Sequence, residues 1–164
     1  MSSRQFKFGP QPALDKAIEA QRVCEEAVRL AKAALAQEKE KLRQLQAEGV
    51  RAEQRVKTSH DNMVSPTRKN SEPGELAQAN RHLDGLRIKL QSSREAVEKQ
   101  KERTAWAADK VELRKRELTE AMAAVEALEK LKEKRRLEFQ AALLKAEEKK
   151  RDDEAIQLWN NQRG

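Results

Sequence analysis

The residues best placed to do chemistry in this chain are a run of cations in its last third, and the chemistry they offer is binding. Five positive charges fall within one short stretch, which contains a single acid, Glu133: Lys130, Lys132, Lys134, Arg135 and Arg136. A patch of this kind can bind a nucleic acid, an anionic lipid or an acidic protein surface.

Groups that could support catalysis or bind a metal show no recognisable pattern. The chain has no glycine-rich phosphate loop, no GxSxG motif, no His/Glu metal pair and no cysteine cluster. His60 and His82 are too far apart in sequence to suggest a local metal site, and Cys24 is the only cysteine. We therefore predict that the chain is not an enzyme and has no catalytic residue, metal site or cofactor.

The composition is typical of long helices. Charged residues make up 38% of the 164 residues and aromatic residues only 3%, and the net charge is +7. Acids and bases are interleaved through most of the chain, as on the solvated faces of coiled coils. The chain contains no signal-peptide-like start and no 18-residue apolar run, which predicts a cytoplasmic protein without direct membrane insertion.

A heptad repeat predicts the element that must position the cations. Every seventh residue from Leu76 is apolar with one exception: Leu76, Leu83, Leu90, Val97, Thr104, Val111, Leu118 and Val125. A companion column three residues later is small or mixed: Ala79, Leu86, Ser93, Gln100, Ala107, Arg114, Ala121 and Leu128. One apolar column with such a companion indicates a coiled-coil seam. No proline after Pro73 interrupts this helix.

The N-terminal half repeats the pattern. Its apolar column is Leu14, Gln21, Val28, Leu35, Leu42, Gly49 and Val56, and its companion is Ala17, Cys24, Ala31, Glu38, Leu45 and Ala52. Gly49 is a weak point, because glycine lowers helix stability by about 1 kcal/mol relative to alanine.

Between the two halves, Pro66, Pro73 and Gly74 indicate a loop, so an antiparallel hairpin is expected. The predicted fold is an all-α, elongated antiparallel two-helix coiled coil whose second helix is longer than the first. The predicted segments are an extended leader at 1–13, a first helix at 14–57, a hairpin loop at 58–74, and a second helix with a C-terminal overhang at 75–160.

The position of the loop predicts which residues of the second helix are left without a partner. A turn near the middle of 58–74 would bring Leu14 opposite Met122 and leave the rest of the helix unpaired. The cation run lies just beyond that point. We expect its charges, together with Leu137 and Phe139, to contact a binding partner.

Four aromatic residues are further candidates for partner binding. Phe6 and Phe8 either pack back on the hairpin, which is the favoured interpretation, or are presented to a partner. Trp106 lies outside both columns and either covers the edge of the seam or anchors a partner. Trp159 lies near the end of the predicted overhang.

Three short stretches resemble the FliJ/YscO family, the stalk proteins of flagellar and virulence type III secretion systems. They are Phe6-Lys7-Phe8 followed by Gln11-Pro12-Ala13-Leu14-Asp15, the basic segment from Val125 to Arg136, and Asp152-Asp153-Glu154. The motifs are short, and their order and spacing along nearly the whole chain carry the resemblance. The proline-containing loop and the late Trp159 look more like the virulence branch.

The resemblance implies a non-enzymatic central stalk for protein transport. Such a stalk would bind the hexameric secretion ATPase and link it to the export gate protein and to export chaperones. It would be cytoplasmic and peripheral to the inner-membrane secretion apparatus. The alternatives are a coiled-coil chaperone or scaffold and, less favoured, a nucleic-acid-binding coiled coil. Aromatic residues are nearly absent from the cation run and no recognition motif accompanies it, so we predict no nucleic-acid partner.

Overall fold

The computed structural model describes residues 4–65 and 71–164, and nearly all of them lie in two α-helices. Helix α1 spans Gln11–Val64 and helix α2 spans Pro73–Arg163, with 54 and 91 residues. The predicted all-α helical hairpin with a longer second helix is confirmed. Residues 66–70, which belong to the predicted loop, lie outside the described residues.

The first helix begins earlier than the sequence suggested. The backbone N–H of Gln11 donates to the carbonyl of Phe8, and that of Leu14 donates to the carbonyl of Pro10, both at 3.0 Å. Pro12 fits in this first turn because the N–H that proline lacks would have no intrahelical partner there. The leader before α1 is therefore shorter than the predicted 1–13.

The helix ends nearest the loop also differ from the predicted bounds. Helix α1 continues past Lys57 to Val64, although 58–64 is rich in polar residues. Helix α2 begins at Pro73, where proline is tolerated, and Glu75 in its first turn interacts favourably with the helix dipole. Every 18-residue stretch of the two described helices is too polar to serve as a membrane span.

The heptad columns form the seam on both helices. We label the column of Leu76 and that of Leu14 position a and the companion columns position d, so that the remaining residues follow as b, c, e, f and g. All a and d side chains from Leu14 to Val56 and from Leu76 to Leu128 are buried or half-buried. The repeat of 3.5 residues thus decides which face of each helix is covered.

The structure divides into two compact units, and residues 27–115 form the middle unit. Five buried apolar side chains belong to it: Val28, Ala31, Leu83, Ala107 and Val111. Small residues such as Ala31 and Ala107 at d allow the two helix backbones to approach closely.

A polar layer interrupts the apolar seam of the middle unit. Gln100 is only 5% exposed, and its side-chain amide donates to the backbone carbonyl of Glu38 at 3.2 Å and also to the Glu38 carboxylate. Thr104 Oγ1 donates to the Gln100 carbonyl at 2.8 Å. The hydrogen bond from Gln100, followed by one from Lys41, lowers the pKa of Glu38. A satisfied polar pair at a seam position favours one register over its neighbours.

The described part of the second, terminal unit comprises residues 4–26 and 116–164. Its core is formed by Phe8, Leu14 and Val125, which are 8%, 3% and 7% exposed. Further apolar residues pack against this core: Phe6, Ala17, Leu128 and Leu131. The leader is therefore part of the packed structure.

Candidate functional site

The terminal segment of α2, residues 140–163, is a helix with almost no covered surface. Every residue in it except Leu143 is exposed. Its side chains include Leu144, Ile156, Leu158 and Trp159, each more than half exposed. Ala, Glu, Lys and Arg, which favour helix without packing, dominate its composition. A helix that leaves large apolar side chains in water is the expected surface for a partner.

The prediction that pairing ends near Met122 is wrong. Lys132 Nζ donates to Gln11 Oε1 at 2.8 Å, and the ring centroids of Phe6 and Phe139 are 5.6 Å apart. Helix α1 starts before Leu14 and ends after Lys57, so its N-terminus lies further along α2 than expected. The leader then extends the contact to Phe139, and the uncovered segment begins only after that residue.

Three of the five predicted cations have partners within the protein. Lys130 Nζ lies 2.6 Å from Glu126 Oε1, and Arg136 Nη2 lies 2.7 Å from Glu133 Oε1. These hydrogen bonds lower the pKa of both glutamates and raise the pKa of Lys130 and Arg136. Together with Lys132, these residues serve in part to stabilise α2 and its contact with α1.

The other two cations, Lys134 and Arg135, are exposed and form no ion pair with any residue that the structure describes. Lys134 lies on the same side of α2 as Leu137 and Leu144, which are 53% and 62% exposed. We call Lys134, Leu137, Ala141 and Leu144 the outer face. Their c and f positions point away from the seam.

The predicted aromatic candidates fall into two groups. Phe8 is buried, and Phe6 and Phe139 are half-buried against each other, so these three rings attach the leader to α2. Trp106 and Trp159 are 69% and 55% exposed.

Both tryptophans lie beneath a cation. Lys110 Nζ is 5.5 Å from the centre of the Trp106 ring, and the Arg163 guanidinium is 4.2 Å from that of Trp159. Cation–π contacts at such exposed sites contribute about 0.5–1 kcal/mol, and more than half of each tryptophan stays exposed.

The exposed apolar residues that sequence reasoning missed include Leu30, Leu113 and Leu144, which are 55%, 51% and 62% exposed. A spacing of seven residues could have identified them, because Leu144 follows Leu137 and Leu113 follows Trp106 at that interval. Leu30 follows Val23 at the same interval on α1, and Val23 is 60% exposed. Within the described residues, no group of three His, Cys, Asp or Glu side chains is placed to hold a metal ion.

Comparison with known proteins gives two matches. The family profile described as "Flagellar FliJ protein" matches residues 11–164. The structure of a protein described as a YscO homologue from Chlamydia trachomatis is similar, with a TM-score of 0.83 and 21% sequence identity. That match covers 94% of this chain and 95% of the Chlamydia chain, and at this identity it shows the fold alone. No curated protein matches in sequence.

Proposed function

The chain belongs to the FliJ family of flagellar and type III secretion export components, and from this premise we propose that it is a non-enzymatic central stalk that binds the hexameric secretion ATPase. The proposal includes contacts with the export gate protein and with export chaperones. Under it, the chain acts in the cytoplasm, peripheral to the inner-membrane secretion apparatus.

The main support is the uncovered terminal segment of α2. The first helix and the leader account for the contacts of α2 as far as Phe139, and residues 140–163 then continue as helix with exposed apolar side chains. An uncovered helix of this length can insert into a ring or a groove of a partner and bury its apolar side chains there.

We assign the outer face of α2, together with the neighbouring Arg135, to the ATPase contact. Lys134 and Arg135 offer positive charge that is not neutralised by a described carboxylate, and Leu137 and Leu144 offer apolar area. Charges at the edge of an interface chiefly raise the association rate, whereas buried apolar side chains slow dissociation. Lys130, Lys132, Arg136 and Phe139 would act less directly, by holding α2 in position.

Two double variants separate these contributions. Lys134→Glu with Arg135→Glu should lower the association rate with the cognate secretion ATPase, and the loss should shrink as salt rises from low to moderate concentration. Leu137→Ala with Leu144→Ala should raise the dissociation rate at both salt concentrations. Surface plasmon resonance measures both rates, and stimulation of ATP hydrolysis gives an independent readout.

The matched control is Lys32→Glu with Lys39→Glu, which changes the net charge equally at exposed positions of α1. Circular dichroism should show unchanged helix content in all three variants. Equal affinity and equal stimulation for the wild type and both outer-face variants would refute the proposed contact. An equal loss in the control would show that net charge, rather than the outer face, governs association.

A further inference from the structure

The middle unit has two sides, and one ion pair shows which positions face each other. Arg94 Nη2 lies 3.1 Å from Glu53 Oε1, and both residues occupy position e. In an antiparallel pair of helices, contact between the two e positions on one side means that the two g positions approach on the other side. Positions c lie next to g, so the c and g residues of both helices share one side of the hairpin.

Exposed apolar residues collect on this c/g side. Leu30 on α1 and Trp106 and Leu113 on α2 all occupy position c and are each more than half exposed. Glu38 is in contact with Thr104, because Thr104 Oγ1 lies 3.4 Å from the Glu38 carbonyl oxygen. Leu30 precedes Glu38 by about two helical turns, and Leu113 follows Thr104 by a similar distance. The antiparallel register therefore places Leu30 level with Leu113. The three side chains therefore flank one stretch of the groove between the helices.

Every charged residue at the c and g positions of this stretch is basic. Lys41, Lys99, Arg103 and Lys110 occupy its c and g positions, and the remaining ones are Ala27, Ala34 and Gln37. No acid occupies a c or g position in this stretch. Small alanines along the groove let another helix approach closely, and the cations lie beside its path.

The opposite side of the same stretch, formed by the e and b positions, differs in its charges and in its exposed apolar side chains. Its b positions include Glu98 and Glu112, which form ion pairs with Lys101 and Lys115 at 2.8 and 3.0 Å. Between residues 29 and 39 and between 98 and 112, no large apolar side chain described at an e or b position is exposed. Apolar area and excess charge thus coincide only on the c/g side.

We propose that the c/g side of the middle unit is a second docking surface, which binds an amphipathic partner helix with acidic residues along its flanks. Leu30, Trp106 and Leu113 would contact the apolar stripe of that helix, as in other helix-in-groove complexes. Lys99, Arg103 and Lys110 would pair with its acids and select against basic helices, whereas Lys41 already forms an ion pair with Glu38 at 3.3 Å. This surface is separate from the outer face, so the proposal does not depend on the ATPase contact.

Two other occupants fit less well. A second copy of the chain in a twofold dimer would present the same four cations to this surface, and like charges would repel. A nucleic acid would satisfy the charges and could stack one base on Trp106, but Leu30 and Leu113 provide no ring for a second base.

The test uses the full chain carrying Trp159→Phe, in which Trp106 is the only fluorophore of its type. The probe is a synthetic amphipathic helix without tryptophan, about three heptads long, with leucine at a and d and glutamate at the flanks. Binding should shift the Trp106 emission to shorter wavelength. A peptide with lysine in place of glutamate and a scrambled peptide of the same composition serve as controls.

Variants at the surface should weaken the binding in a defined order. Affinity is followed by fluorescence polarisation of the labelled peptide. Trp106→Ala should lower it about tenfold, as expected for an aromatic anchor. Lys99→Ala with Arg103→Ala should lower it about fivefold at low salt and less at high salt. Lys32→Ala with Lys39→Ala, which removes two charges from the e side, should have little effect.

Three results would overturn the proposal. The first is equal binding of the acidic, basic and scrambled peptides. The second is unchanged affinity of the Trp106→Ala variant. The third is another occupant, seen either as tighter binding of a single-stranded DNA oligonucleotide or as a dimer in analytical ultracentrifugation that Trp106→Ala abolishes. The substituted side chains are exposed, so the thermal midpoint should change little in every variant, and Trp106→Ala should lose only the contact of that ring with Lys110.

Discussion

Two stretches of the same helix behave differently although their compositions are alike. Residues 76–128 of α2 bury or half-bury the side chain at every a and d position, whereas every residue of 140–163 except Leu143 is exposed. Val111 is 4% exposed and Leu144 is 62% exposed. Both stretches are helical, so helix formation here follows from residue type, while burial depends on a facing helix or leader. The fold therefore does not require the apolar side chains of the second stretch to be buried.

The largest expected effect is a difference in the free energy of unfolding between two leucine variants, one in the packed core and one in the terminal segment. Leu14→Ala should lower the free energy of unfolding by about 2–5 kcal/mol, because it removes a buried side chain from the core with Phe8 and Val125. Leu144→Ala should change it by less than about 0.5 kcal/mol, since the side chain is exposed. Urea unfolding followed by circular dichroism measures both. A large loss in Leu144→Ala would mean that the terminal segment is packed in solution.

An intermediate effect concerns Gly49 and Gly85, which lie in the interiors of the two helices of the middle unit. Gly85→Ala and Gly49→Ala should each stabilise the protein by about 0.5–1 kcal/mol, because alanine favours helix more than glycine. Neither glycine has positive φ. A Cβ on Gly85 would meet no atom within 4 Å, and one on Gly49 would lie 3.4 Å from Ser93 Oγ.

Gly85→Ala is the control for Gly49→Ala, because Gly49 lies at a seam position and Gly85 does not. If Gly85→Ala raises the thermal midpoint and Gly49→Ala lowers it, the seam requires a close approach at Gly49 that an added methyl group disturbs. That outcome would sharpen the contrast, because it would show that packing outweighs residue preference wherever the helices are paired.

The smallest expected effect is the pH dependence of the polar seam layer. Hydrogen bonds from Gln100 and Lys41 lower the pKa of Glu38 below its usual 4.5 in the folded protein. A lowered pKa means that ionised Glu38 stabilises the fold above pH 4.5, and that this contribution is lost as the pH falls through the folded value. The wild type should therefore lose more stability on acidification than Glu38→Gln, which cannot titrate.

Thermal unfolding at neutral and acidic pH gives the stability that each protein loses on acidification. The loss in the wild type is then compared with the loss in Glu38→Gln. Glu126→Gln is the matched control, because Glu126 has a lowered pKa but pairs only with Lys130 on its own helix. If the two variants respond equally to pH, the contact of Glu38 across the seam adds nothing beyond an ordinary surface pair.

The sequence predicted the two helices, their seam and the greater length of α2, because heptad spacing alone determines which face of a helix is apolar. It did not predict where the pairing ends. A shift of a few residues in the helix bounds moved the partner of Leu14 from Met122 to Val125, and the position of the leader depends on long-range contacts such as Phe6 with Phe139.

The candidate sites show the same division between local and long-range information. Sequence alone located the cation run and the two tryptophans, since charge and residue type are local properties. Only the tertiary structure separated Lys134 and Arg135 from the neighbouring cations that already have partners. Only the register of the two helices brought Leu30 level with Leu113, because residues distant in the chain become neighbours through pairing, which no local pattern encodes.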